Sequence, residues 1–488
     1  MQSSSGLSVS ACLGSVALAV FLLVSGCATN PVTGKQNFVL MSEQQEIQLG
    51  KESHQKIVTE YPLYDDPDLQ SYVDTLGKRI AAGSHRNNLN FSFHVLDSPQ
   101  VNAFALPGGY VYVTRGIMVY MDNEAQLAGV LGHEIGHITA RHGVRQQSRG
   151  LLVGLLGSVA AAAVGSSVVN DLSDLLGSAL MSGYGRKQEL EADRLGARYL
   201  RNSGYSPWAM RDVIGILKTQ EEFEIRLAKK EGRRPNVYHG VFASHPDNDQ
   251  RLLKVIAAAG GNSARGTTLP AEPDFLNRLE GLQFGPAPSQ GVIRNGRFLH
   301  RELDLHIAFP DQWRIDNQPE RLLAVSPGRD AFIQVALDKA QPGQNLQQYL
   351  AQQFPGLWNA SSFQINGING YAGFAALDTP FGPRDAQVTV NHHNHWLLVC
   401  IGVWNEGRPG AAFTQTINSM RSLDAEEQVQ ASGYRISLVS TQPGDSYQTL
   451  AAKSSLQADD IDRLRLLNGD FPNGELVPGR LIKTITRQ

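Results

Sequence analysis

The spacing of apolar positions along this chain changes several times, and each change predicts a different element. Across residues 42–82 apolar side chains return at helical intervals, as at Leu69, Val73 and Leu76. Ser42 and Gln45 stand at the spacing of a capping box, which predicts a helix start there. Residues 91–96, 103–106 and 110–113 then read as three strands, with Pro107-Gly108-Gly109 as the turn between the last two. Helical spacing resumes at Asn123 and dominates to about residue 259. Its one interruption, residues 151–169, carries no charge and is long enough to cross a bilayer. Its Gly, Ala and Ser content favours a helical flap beside a cleft instead.

Residues 260–273 replace the helical pattern with Gly, Ser, Thr and Pro, which marks a domain boundary. Alternation of strand type follows from 291 to about 420, notably at 303–309, 332–337 and 387–390, with a helix expected near 346–354. Within it, His392-His393-Asn394-His395 reads as a solvent-facing hairpin turn rather than a metal site, and Cys400 as a core strand residue. A small strand and helix module is expected from about 436 to 486.

Length allows two or three domains. The formal net charge of -3 argues against nucleic acid as a partner, since phosphate binding relies on clustered cations. Of three cysteines, Cys12 lies inside an apolar N-terminal run and Cys27 ends it, so Cys400 is left without an internal disulfide partner and no cysteine zinc site is available. The run from Leu7 to Val24, closed by Ser25-Gly26-Cys27, resembles a bacterial lipoprotein signal. That resemblance implies cleavage before Cys27, acylation of its thiol and a lipid anchor. Ala28 after the cysteine implies delivery to the periplasmic face of the outer membrane. No Lys or Arg precedes the run, and an uncleaved membrane anchor is the alternative.

The densest chemistry lies in His133-Glu134-Ile135-Gly136-His137. Residues four apart on a helix differ by only about 40° in direction, so His133 and His137 can hold one ion from one face. Glu134, about 100° round, can reach a water at the open position without occupying it. A catalytic zinc needs a third protein ligand. Glu189 and Asp193 share a helical face by the same arithmetic, which offers Glu189 as that ligand and Asp193 as the group that orients a histidine or bonds near the reacting water. Glu191 is expected to point elsewhere. Without the histidines, these acids would read as a solvated face beside Lys187 and Arg194.

Together, the histidine motif and Glu189-Leu190-Glu191-Ala192-Asp193 resemble the M48 family of zinc metallopeptidases, in its exported lipoprotein branch related to periplasmic outer-membrane assembly proteases. Asn102 to Gly109 resembles the segment before that family's active helix, and Ser244-His245-Pro246 with Arg251 resembles a later one. The resemblance implies Zn²⁺ on His133, His137 and Glu189, Glu134 as general base, an auxiliary catalytic role for Asp193, and His245 near the zinc or the oxyanion. It also implies a strand that receives substrate. Ala103 to Leu106 suits that task, because main-chain pairing selects extended polypeptide over any one side chain.

The final module, through Pro443-Gly444-Asp445-Ser446 and Val477-Pro478-Gly479, resembles a LysM-like repeat, which implies contact with peptidoglycan; a protein-interaction or stabilising role is the alternative. The expected fold is a mostly α zincin-type domain with a small sheet, then an α+β domain and a small LysM-like α/β module. The expected divisions are a signal at 1–26, a linker at 27–42, the metallopeptidase domain at 43–260, a linker at 261–290, an accessory domain at 291–430 and the module at 436–486. The expected activity is hydrolysis of unfolded or misassembled envelope proteins, with outer-membrane assembly machinery as a partner. A lipid-anchored chaperone or scaffold with a latent or structural zinc site is the competing expectation.

Overall fold

The computed structural model describes residues 27–148, 184–230, 235, 272–318, 321–406, 410–453 and 460–487. The signal at 1–26, the flap at 151–169, and His245 with Arg251 lie outside the described residues. Those that are described fall into two compact units, one within Met1–Leu282 and Ile436–Thr486 and the other within Gln283–Arg435. The architecture is mixed α/β: helices around a small sheet in the first unit, and a larger sheet in the second.

Part of the stretch expected as an N-terminal linker forms a short antiparallel ladder, β1 (Cys27–Thr29) with β2 (Gln36–Phe38). Asn30 Oδ1 closes its turn by accepting from the amides of Val32 and Thr33. The helical pattern of 42–82 resolves into two helices. The first, α1 (Glu43–Glu60), begins with the expected capping box at Ser42 and Gln45, and the second, α2 (Pro67–Ala82), is capped by Asp66 with proline in its first turn. Proline at 62 and 67 accounts for the break, since an interior proline removes a donor and crowds the preceding turn.

Three strands follow: β3 (Ser92–Leu96), β4 (Ala103–Leu106) and β5 (Tyr110–Thr114). They lie in the order β3-β5-β4, with β3 parallel and β4 antiparallel to β5, so β4 is an edge. The turn at Pro107-Gly108-Gly109 needs glycine twice over. Both glycines have positive φ, and a Cβ on Gly109 would meet the Asn90 carbonyl at 2.7 Å.

Behind this sheet lies α3 (Glu124–Thr139), capped by Asn123 and buried from Ala125 through Thr139. A helix rich in Ala, Gly, Leu, Val and Ile all round is one that packs on every side. Its neighbours include α4 (Arg186–Asn202) and α5 (Ala209–Lys230). Within the stretch expected as a second linker, α6 (Pro273–Leu279) buries Phe275, Leu276 and Leu279 and belongs to the first unit. Large apolar side chains at that spacing outweigh the Gly/Pro-rich composition just before them.

In the second unit, β6 (Val292–Arg294), β7 (Arg297–His300) and β8 (Leu305–Ala308) form an antiparallel sheet. Seven further strands make the larger one: β9 (Arg314–Gln318), β10 (Arg321–Val325), β11 (Ala331–Lys339), β12 (Trp358–Ile365), β13 (Ile368–Thr379), β14 (Gly382–His393) and β15 (Trp396–Trp404), in the order β9-β10-β11-β15-β14-β13-β12. The helix α7 (Leu346–Gln353) packs against β13 and β14. Asn394 and His395 form the hairpin turn between β14 and β15, Asn394 taking the positive φ of 52° that such a turn requires. Cys400 is buried on β15, and burial pushes its thiol up to about 12 despite a hydrogen bond with Thr389, which leaves it inert as a nucleophile.

The chain then returns to the first unit through β16 (Tyr434–Ser440), α8 (Tyr447–Lys453), α9 (Asp460–Leu467) and β17 (Leu481–Arg487), with β16 and β17 side by side. Leu466 and Phe471 of this segment pack on Phe223 of α5. Lys483, wholly buried, places its Nζ 2.7 Å from the Met121 carbonyl and 2.9 Å from Asp122 Oδ1, just ahead of α3. Among the described residues no helix is long and apolar enough to cross a membrane.

Candidate metal centre

The site starts from how closely α3 and α4 approach. A Cβ on Gly136 would sit 2.8 Å from the Ala192 carbonyl oxygen, and one on Gly196 would sit 3.0 Å from the His133 amide. Gly132 faces Gly196 as well. Small residues at helical spacing on both helices thus let the two backbones touch, which brings the acids of α4 within reach of the histidines of α3.

His133 Nε2 and His137 Nε2 lie 2.9 Å apart. Glu189 Oε2 is 3.5 Å from the first and Glu189 Oε1 is 3.6 Å from the second. Three donor atoms, one from each residue, lie within 4.8 Å of one another, and all three residues are buried. Zinc ligands at about 2.0–2.2 Å in a tetrahedron are separated by about 3.3–3.6 Å; both Glu189 separations match this, and the two imidazoles, at 2.9 Å, need only move apart slightly to take one such ion.

The polar accounting agrees. Both carboxylate oxygens of Glu134 and Oε1 of Glu189 are buried without a hydrogen-bond partner among the described residues. An unpaired buried carboxylate oxygen costs the fold its full desolvation penalty, which a bound metal ion, water or substrate would relieve. Burial raises the Glu134 carboxyl to about 7, with the His133 charge pulling the other way. Burial alone would depress His133, yet Asp193 and Glu189 hold it up at about 10. His137 is driven well below its ordinary value by burial and by His133. These opposite shifts place a positive charge on His133 and keep His137 neutral.

The remaining polar groups surround these. Asp193 Oδ1 lies 3.0 Å from His133 Nδ1, the ring nitrogen facing away from the other donors. Tyr184 stacks on His137 with ring centroids 4.1 Å apart. A narrow cleft of about 10 Å³ runs between the edge strand β4, at Ala105 and Leu106, and His137 with Gly143 and Tyr184.

The structure therefore brings together His133, Glu134, His137, Glu189 and Asp193. Glu191 points away from this cluster, as expected: its Oε2 lies 3.1 Å from His142 Nε2, while His142 Nδ1 lies 2.9 Å from His137 Nδ1. Helix arithmetic turns Glu191 away from the metal face. It does not reveal that the chain after α3 folds back to meet that other face. His142 itself was not singled out by sequence, and its only signal is a third histidine five residues beyond His137.

Residues 67–258 match the family model described as Peptidase family M48. The chain is 30% identical over 280 residues to the Beta-barrel assembly-enhancing protease of Escherichia coli (strain K12), covering 55% of this chain and 53% of that protein. It is 34% identical over 231 residues to the protein of that name in Yersinia pestis, covering 46% and 45%. To the Mitochondrial metalloendopeptidase OMA1 of Schizosaccharomyces pombe it is 32% identical over 232 residues, covering 46% of this chain and 64% of that one. The chain thus spans about half the length of the first of these curated relatives.

Proposed function

We propose that this protein is a zinc endopeptidase that hydrolyses unfolded or misassembled polypeptides of the cell envelope. The observation that carries this reading is the buried His133, His137 and Glu189 donor set with the unpaired Glu134 carboxylate beside it. Zinc held by those three residues would supply Lewis acidity toward a water and a scissile carbonyl.

The chain's own groups do the rest. Glu134, raised to about 7 by burial, accepts the proton of the attacking water and passes it to the leaving amine. Asp193 fixes the ring of His133 through Nδ1, which keeps Nε2 bare for the metal. An extended peptide would pair with β4, an edge strand among the described residues, beside His137, which selects unfolded chain over any particular sequence. His245 is assigned to the oxyanion or to the open position on the resemblance of Ser244-His245-Pro246.

Envelope substrates and contact with outer-membrane assembly machinery are supported by the names of the bacterial relatives. A lipid anchor on Cys27 at the periplasmic face of the outer membrane is supported by the apolar run ending in Ser25-Gly26-Cys27. Peptidoglycan contact is supported by the LysM-like sequence of 436–486 and its strand, helix, helix, strand order.

The test is Glu134→Gln, assayed on an unfolded casein-like substrate with zinc measured by plasma mass spectrometry in the same preparation. Hydrolysis should fall about 10²- to 10⁴-fold with close to one zinc retained per chain. Undiminished hydrolysis would remove Glu134 as the base and the mechanism with it.

A further inference from the structure

We infer that His142 and Glu191 form a proton-ordered relay that sets the tautomer of His137 and so positions it as a metal ligand. This inference rests on the metal-site reading above and adds to it a second pair of residues with a defined task.

The hydrogen positions follow from the geometry by elimination. His137 faces His133 and Glu189 with Nε2, at 2.9 and 3.6 Å, so Nε2 must be bare to take a metal. A neutral imidazole with Nε2 bare carries its proton on Nδ1. That Nδ1 lies 2.9 Å from His142 Nδ1, and two imidazole nitrogens at this distance need one donor and one acceptor. His137 therefore donates, His142 accepts at Nδ1, and the His142 proton resides on Nε2. Nε2 lies 3.1 Å from Glu191 Oε2, a carboxylate that can only accept, and Arg145 Nη1 donates to the same oxygen from 3.2 Å. Every proton in the chain has one place to be.

The backbone builds this relay deliberately. After α3 ends, Arg141 takes φ of 57°, a left-handed conformation unfavourable for a side chain of its kind. Its guanidinium is held there by Glu46 Oε2 at 2.8 Å and by the Met41 carbonyl at 3.0 Å. The resulting reversal lays His142 back against His137, and Gln188 Nε2 donates to the His142 carbonyl from 3.4 Å. His142 is fully buried, so its two ring contacts are not traded for water.

The two histidine ligands are consequently oriented by different means from one helix. Asp193 reaches His133 directly, whereas Glu191 reaches His137 through an intervening imidazole. All three acids of Glu189-Leu190-Glu191-Ala192-Asp193 then serve the same centre: one as ligand and two as orienting groups.

The test uses the full chain carrying His142→Ala, His142→Asn or Glu191→Gln, each loaded with Zn²⁺ and, separately, with Co²⁺. Metal affinity is read by competition with a chromogenic chelator, and ligand geometry by the visible absorption of Co²⁺. His142→Ala should weaken metal affinity about 10- to 100-fold and shift the Co²⁺ bands, as removal of an orienting partner does. His142→Asn, whose amide oxygen can take the place of Nδ1 as acceptor, should recover most of that loss. Glu191→Gln keeps an acceptor oxygen and should show the smallest change.

A folded His142→Ala with wild-type affinity and spectrum would overturn the relay, as would Asn failing to improve on Ala. Should His142→Ala not fold, ring-¹⁵N spectra of the zinc-loaded wild type decide: a protonated Nδ1 on His142 overturns the relay, and a bare one supports it. A wild type that binds no metal removes the relay and the peptidase reading together, whereas a metal-binding, hydrolysing wild type beside an unaltered His142→Ala removes the relay alone.

Discussion

Two buried groupings of histidine and carboxylate, one in each unit, put opposite use to the same chemistry. In the second unit, Glu427 is 3% exposed and spends both oxygens on neighbours. Arg421 reaches Oε2 at 2.6 Å and Oε1 at 2.8 Å, His306 Nδ1 lies 2.7 Å from Oε1, and the Asp424 amide donates to Oε2. In the first unit, Glu134 is equally buried and has neither oxygen paired among the described residues. Burial by itself would raise both carboxyls. The cations around Glu427 reverse that and pull it down to about 2, while Glu134 is left near 7. A satisfied buried carboxylate ties a fold together, and an unsatisfied one is held ready for chemistry.

The contrast is broken most severely at Glu189, the one acid of the first grouping placed to touch a metal. Glu189→Gln should lose zinc on dialysis and hydrolysis in parallel, unlike Glu134→Gln, because an anionic ligand is removed. Zinc by plasma mass spectrometry beside proteolysis checks this, and retention of both would shift the ligand role to another acid.

Next in size is Glu427→Gln, expected to destabilise the second unit by roughly 1–3 kcal/mol with metal content unchanged, since charge-assisted hydrogen bonds to the partly exposed Arg421 and to His306 are weakened. Four of the five tryptophans, at 313, 358, 396 and 404, lie in this unit, so denaturant unfolding followed by fluorescence reports it. The native carboxyl of Glu427 sits below its unfolded value of about 4.3, so its contribution is complete above that pH and lost as pH falls toward about 2. Burial also keeps His306 neutral below its ordinary range, which begins the loss nearer pH 6.5 and in the same direction. The variant should flatten the acid limb of this profile, and an unchanged limb would deny Glu427 its role.

Asp193→Asn sharpens the comparison with the least disturbance. It keeps an oxygen near His133 Nδ1 and removes the charge, so metal affinity should weaken about 10- to 100-fold with hydrolysis partly preserved. Chelator competition measures it, and a loss as complete as that of Glu189→Gln would make Asp193 a ligand instead.

What was legible in the chain was whatever depends on neighbours close in sequence. The four-residue spacings of His133 with His137 and of Glu189 with Asp193 state a shared helical face, and the helices, the edge strand and the hairpin at Asn394 follow from local pattern. The relay through His142 was not legible, because the turn that creates it is held by Glu46, 95 residues earlier. The burial of Lys483 was not legible either, because Asp122, which meets it, lies far away in the chain. Small glycines on α3 and α4 mark close approach only once their facing partners are known.

The Lys483 contact with the Met121 carbonyl spans 362 positions of chain. The entropy of closing so long a loop grows only with the logarithm of its length, so the strands of the second unit can lie within it, in sequence, at little added cost to this contact.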